Sequence, residues 1–186
     1  MELLAESLAE EGVTTIRFEF PYMEKRREDG RKRPPDRQPA LLEQFRKVIS
    51  DVCRTPEGAG GVFVGGKSMG GRMASLVAAT PEFADDVLGA VCFGYPFHPP
   101  GKPDRWRTAH FQELQRPILI IQGTRDPFGR KYEVEERRQA WPDRVILQWL
   151  EGGEHDYRPL KKQGDSQAEL VRKAAQQAAA FIRSHC

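Results

Sequence analysis

Three residues with complementary side-chain chemistry, Ser68, Asp126 and His155, each stand just beyond a short apolar run of this 186-residue chain. A serine hydroxyl is a weak nucleophile until a neighbouring imidazole takes its proton. The imidazole does so only when a carboxylate fixes its other ring nitrogen and hence its tautomer. Gathered in one site, the three would transfer an acyl group through a covalent serine ester, with neither metal nor cofactor. Ser68 is the centre of Gly66-Lys67-Ser68-Met69-Gly70, a G-x-S-x-G pentapeptide preceded by the apolar run 61–65 and followed by small residues. A strand turning at once into a helix strains the central residue, and the glycines remove side chains that would clash there. Ser68 would then project above the sheet edge, with the Met69 N–H at the helix N-terminus facing a developing oxyanion.

Taken singly, each residue also has a plain reading: Gly66–Gly70 as a glycine-rich turn, Asp126 before Pro127 as a turn former, His155 as a surface histidine. Their order along the chain argues for more, provided that the intervening elements bring them together. A helical period in residues 3–8 stops at Gly12, and residues 13–20 alternate as a first strand. A polar loop then leads to an amphipathic helix over 41–52. The strand before Ser68, a helix over 69–79, a strand over 87–93, another over 117–122, a helix over 131–140, a strand over 145–150 and a terminal helix over 167–184 complete the pattern. Branched strands alternating with helices predict an α/β fold: a mostly parallel sheet with helices on both faces, three layers in all. In such sheets functional groups gather beyond the carboxyl ends of the strands, where Ser68, Asp126 and His155 all fall. Asp143 opens a strand at the opposite edge and Asp156 directly follows the histidine. His98 and His110 lie in the loop after 87–93, and His185 is next to the last residue.

Composition bounds the rest. At 186 residues the chain is expected to be a single domain, and 39% hydrophobic with 30% charged residues reads as a soluble globular protein. A net charge of +2 gives no case for nucleic acid. No apolar run is long enough to span a bilayer, and the first six residues lack a basic-then-apolar signal pattern, so no membrane association and a cytoplasmic location are expected. Cys53, Cys92 and Cys186 have neither disulfide-framework nor zinc spacing. Gly-Lys-Ser at 66–68 lacks the phosphate-loop glycine five residues before the lysine, a position held by Val62.

Longer blocks around these residues carry a resemblance. Gly65-Gly66-Lys67-Ser68-Met69-Gly70-Gly71-Arg72, Arg17 to Met23, Gly94 to Lys102 and Gln122 to Gly129 together resemble the KANL3/Tex30-type branch of the α/β-hydrolase superfamily, near the dienelactone-hydrolase-like enzymes. The resemblance spans nearly the whole chain. It implies an α/β-hydrolase sandwich with Ser68, Asp126 and His155 as the triad and Met69 in the oxyanion hole, acting as a carboxylesterase-like enzyme on a small acyl substrate. The short 94–116 connection implies no lid domain. Tyr95, Phe97 and Trp106 there could line the site or pack the loop down; Tyr95, Phe97 and Lys67 are the expected substrate-binding residues.

One departure sets a further expectation. Relatives of this kind begin with an additional strand and a His-Gly-x-Gly-like turn that supplies a second oxyanion N–H. The chain given lacks that piece, and in the family's order it would lie between the 13–20 and 61–65 strands. The expectation is an internal start or truncation that leaves a central gap, or else direct pairing of 13–20 with the next strand. Met69 would then be the one recognisable oxyanion donor, at a cost of roughly 10²–10³ in rate. Seven basic residues lie between Lys25 and Arg37. Together with Lys67 and Arg72 they make an anionic substrate conceivable. They also support the alternative of a non-catalytic interaction module whose basic loop 25–37 binds an acidic partner. The lack of interleaved aromatics argues against nucleic acid.

Overall fold

The computed structural model describes residues 1–160 and 164–186. Its centre is four parallel strands: β1 (Val62–Lys67), β2 (Val87–Phe93), β3 (Ile118–Gly123) and β4 (Val145–Leu150), hydrogen-bonded in the order β1-β2-β3-β4. Register is set by pairs such as Gly66 with Cys92, Cys92 with Ile120 and Ile120 with Leu147. Successive side chains of a strand point to opposite faces, so continuous apolar runs such as Ile118 to Ile121 require two covered faces. Ala90, Cys92, Ile118 and Ile120 face one core, with Leu41, Phe45, Ile49, Met73 and Val77. Val91, Phe93, Leu119 and Ile121 face the other, with Leu4, Leu8, Leu170 and Ala174. The first core is covered by α3 (Gln38–Cys53) and α4 (Met69–Ala79), the second by α1 (Glu2–Glu10) and α6 (Gln167–Ser184). This is the expected three-layer α/β architecture.

The helices follow from local sequence. In α3 the buried Leu41, Phe45 and Ile49 recur every four residues, one face of a helix. α6 opens on a capping box: Ser166 Oγ accepts from the Glu169 amide at 3.2 Å, and the Glu169 carboxylate accepts from the Ser166 amide at 2.6 Å. Its buried Ala174, Ala175, Ala178 and Ala179 allow close approach to the sheet. α5 (Lys131–Arg138) buries only Val134 and is otherwise polar.

Two expectations are corrected. Residues 13–20 form no strand, so the sheet has four strands rather than five and no internal gap. The segment is held by side chains instead: the rings of Phe18 and Phe20 pack on Phe45 of α3 with centroids 4.9 and 5.9 Å apart. The polar stretch after it is not loop throughout, because Pro21–Asp29 forms α2, started by a proline in its first turn and stopped by Gly30 in a left-handed conformation. Two arginines of the basic segment are paired, Arg27 of α2 with Glu19 and Arg33, beyond the helix, with Asp29. The connection from β2 to β3 contains only a short 3₁₀ turn, Ala109–Glu113, so it contributes no lid domain.

The β1–α4 turn is a tight point of the fold. Ser68 has φ 53° and ψ −115°, a region that L-residues avoid, and its amide extends the ladder by donating to Phe93 O at 2.9 Å. A Cβ on Gly66 would lie 2.7 Å from the Gly70 carbonyl carbon, and one on Gly71 would lie 2.7 Å from Gly66 O and 3.2 Å from Cys92 Cα. Gly70 itself has open space around its Cβ position. Below the turn, Ser75 Oγ meets His110 Nε2 at 2.8 Å inside the first core. Burial, with a smaller contribution from the Arg72 guanidinium, pushes the His110 imidazole down to about 4 from 6.5.

Two outcomes follow for stability. Gly66→Ala and Gly71→Ala each lower unfolding free energy by about 1–3 kcal/mol through backbone clashes. Gly70→Ala, a helical site with room, keeps or raises it by up to about 1 kcal/mol; urea melts of the three variants measure this. Between pH 6.5 and about 4 the unfolded chain binds a proton at His110 that the folded chain refuses, so stability falls as pH drops through that window. The contribution is at most about 3 kcal/mol, and His110→Gln, which keeps a partner for Ser75, flattens that part of the stability–pH curve.

Candidate active site

Ser68, Asp126 and His155 come together beyond the carboxyl ends of β1, β3 and β4. His155 Nε2 lies 2.9 Å from Ser68 Oγ, and His155 Nδ1 lies 2.8 Å from Asp126 Oδ2. A carboxylate oxygen accepts, so Nδ1 donates and the Nε2 lone pair is left to receive the serine proton. Asp126 is fully buried while the imidazole stays partly exposed, 18% by side chain. A buried carboxylate needs its lone pairs filled. Here Oδ1 accepts from the Phe128 amide at 2.8 Å, and Oδ2 accepts from both His155 and Gln122 Nε2, the latter at 2.9 Å.

Each loop is locked to its neighbour. The Thr124 amide donates to Leu150 O at 3.1 Å, the Arg125 amide to Gly153 O at 3.0 Å and the Gly152 amide to Thr124 Oγ1 at 2.8 Å. The loops are so close that a Cβ on Gly123 would lie 2.3 Å from Gly153 O. Beyond His155, Tyr157 turns the chain with φ 62°, buries its ring and donates its hydroxyl to Ile121 O at 2.8 Å. The phenol's ionisation is pushed well up by burial. Phe128 lies against the imidazole with ring centroids 4.3 Å apart. Gly94, at φ 61°, is another close approach: a Cβ there would meet His155 O at 3.0 Å. The Met69 amide begins α4 and, as a first-turn N–H, has no intrahelical acceptor.

The expected substrate-binding residues stand differently. Tyr95 and Phe97 are wholly buried, a correction to their reading as site-lining residues. The turn at Gly94 sends the chain inward, where the Tyr95 amide donates to Gln122 Oε1 at 2.7 Å and its hydroxyl to Arg107 O at 2.8 Å. Phe97 stacks on Trp141 with centroids 5.4 Å apart. Lys67 is at the rim, but its ammonium is 2.6 Å from Asp156 Oδ1, tying the elbow to the histidine loop. Lys67 in turn holds the Asp156 carboxyl below its usual range. Cys92 lies behind the elbow, its thiol donating to Gly71 O at 3.1 Å and its ionisation pushed strongly up by burial. Among the described residues no group of three or more His, Cys, Asp and Glu is arranged to hold a metal ion. No helix among them is long and apolar enough to cross a membrane.

Gln122 and Phe128 are the contributors that residue patterns did not single out. The signal for Gln122 is one amide closing the otherwise apolar run Ile118 to Ile121, where a buried polar group must have partners. Phe128, two residues beyond the acid, has no such signal.

A family model described as an alpha/beta hydrolase domain matches residues 1–183. Among solved structures, the chain is similar to an α/β serine hydrolase without lid from Xanthomonas campestris, at 20% identity and TM-score 0.68, covering 97% of this chain and 72% of that one. It is also similar to an alpha-beta serine hydrolase homologue from Coxiella burnetii (18%, TM-score 0.65, 100% and 75% covered) and to a Pyrococcus furiosus esterase (15%, TM-score 0.64, 100% and 76%). These likenesses are of fold. With a family match over nearly its full length and a lidless parallel-sheet architecture, the chain belongs to the α/β-hydrolase superfamily.

Proposed function

We propose that this chain is a serine hydrolase that cleaves an ester or related acyl bond of a small molecule, without a cofactor, and that within the superfamily it lies in the KANL3/Tex30-type branch. The observation that carries the reading is the continuous relay of Ser68 Oγ, His155 Nε2 and Nδ1, and Asp126 Oδ2, with both hydrogen bonds under 3 Å. His155 takes the hydroxyl proton as Ser68 Oγ attacks the acyl carbon. The oxyanion that forms is met by the Met69 N–H at the positive end of α4. His155 then gives its proton to the leaving oxygen, and a water activated by the same imidazole releases the acid from Ser68. Asp126 holds the ring and offsets the charge it gains; it does not take the proton.

Gln122 is a positioning residue: its amide holds Asp126 Oδ2 while its carbonyl oxygen holds the Tyr95 amide. The interaction-module alternative draws less support, because Arg27 and Arg33 of the basic segment are already paired with Glu19 and Asp29.

Ser68→Ala abolishes both hydrolysis of 4-nitrophenyl butyrate and labelling by a fluorophosphonate probe; unchanged hydrolysis in that variant overturns the reading. Asp126→Asn, which leaves the ring in the wrong tautomer, lowers kcat by roughly 10⁴. Gln122→Leu lowers kcat with little change in KM, while Gln122→Glu shifts the pH–rate profile by placing a second acid beside Asp126; steady-state profiles of both variants distinguish positioning from a packing defect.

A further inference from the structure

On the face of α4 that meets the connection between β2 and β3, two arginines stand without acids. Ser75 Oγ donates to Arg72 O at 2.8 Å and touches His110 Nε2. Tyr95 Oη lies 3.5 Å from Ser75 Oγ and donates to Arg107 O. These bonds bind the connection to α4 and bring the Arg72 and Arg107 side chains within electrostatic reach, each charge acting against the other. Both residues are half-buried. Among the described residues neither guanidinium has an ion-pair or hydrogen-bond partner, and Arg72 Nε is buried with nothing to donate to.

Some arginines have acids although they are exposed: Arg27, Arg46, Arg54 and Arg138 all lie beside carboxylates. No carboxylate figures among the groups that act on Arg107 or His110. His110 is neutral near pH 7, so it adds a polar lining and no charge. Two half-buried guanidiniums on one hydrogen-bonded junction, with donors left free, suit an oxyacid, whose paired oxygens match the planar guanidinium fork. Arg72 follows Ser68 by four residues, its amide donating to Ser68 O at 3.0 Å, so the two residues stand one turn apart on the same side of α4.

We propose that Arg72 and Arg107 form an anion subsite that holds a carboxylate or phosphate carried by the substrate, so that the ester cleaved at Ser68 is an anionic one. The inference rests on the reading of Ser68 as nucleophile. It places substrate-anion recognition on α4 and the 94–117 connection rather than on Lys67, whose charge is engaged by Asp156.

The test compares kcat/KM for 4-nitrophenyl valerate, the 4-nitrophenyl monoester of glutarate and the corresponding ester ending in phosphate. The wild type favours at least one anionic ester by about 10-fold or more, an advantage that shrinks as NaCl is raised, and the better of the two names the source of the anion. Arg72→Met and Arg107→Met bring the anionic-to-neutral ratio close to one, whereas Arg105→Met, at an exposed neighbouring cation, leaves it in place. A wild-type ratio at or below one for both anions, or an equal fall with Arg105→Met, overturns the proposal. Calorimetric titration of the Ser68→Ala protein with glutarate and with inorganic phosphate separates the two readings. Binding lost on adding Arg107→Met, together with a wild type that cleaves none of the esters, upholds the subsite and overturns the hydrolase. Ester cleavage with no anion preference and no binding overturns the subsite alone.

Discussion

A carboxylate with no access to water is the constraint around which this site is built. Asp126 has surrendered its hydration and must recover equivalent hydrogen bonds from the protein, and the fold supplies them from three directions: a backbone amide of its own loop, the amide of Gln122 below it and the imidazole of His155 beside it. Since each donor is itself anchored, the acid fixes more than the histidine. Gln122 reaches on to Tyr95 and so sets where the chain leaves β2. The loop carrying His155 is fastened to the loop carrying Asp126 by three backbone or hydroxyl bonds. The imidazole therefore arrives at Ser68 as part of a rigid double loop.

The serine side solves a different problem. Ser68 must stand in a strained backbone conformation at the point where a strand meets a helix at close range, and the strain is tolerated because Gly66 and Gly71 let β1, β2 and α4 touch through their backbones. Of the glycines around the serine, the second and third after it do unequal work: Gly71 sits against Gly66 and Cys92, whereas Gly70 faces open space. Spacing within the pentapeptide alone does not reveal that division, which depends on the neighbouring strand.

Much of this was legible from residue order. The apolar runs that became β1 to β4 and the small-residue run of α4 specify both faces of a parallel sheet, and that topology alone carries Ser68, Asp126 and His155 to one edge. Residues 13–20 were misread because alternation records which side chains want burial, not which backbone has a partner; Phe18 and Phe20 satisfy theirs on α3 without a ladder. For Tyr95 and Phe97 a loop position leaves lining and packing both open, and their burial beyond the left-handed turn at Gly94 decides for packing. The placing of Phe128 against His155 and of Arg107 near Arg72 is visible only in the folded chain.

The ladder treats the members of the triad unequally. β3 is bonded along both edges, to β2 and to β4, while β1 and β4 lie at the two borders of the sheet and are each bonded along one. The acid is thus mounted on an interior strand, and the nucleophile and the base on opposite borders. Thermal breathing that begins at either border will draw Ser68 and His155 apart, so the molecule has a hierarchy of failure in which the chemistry stops while the core is still folded.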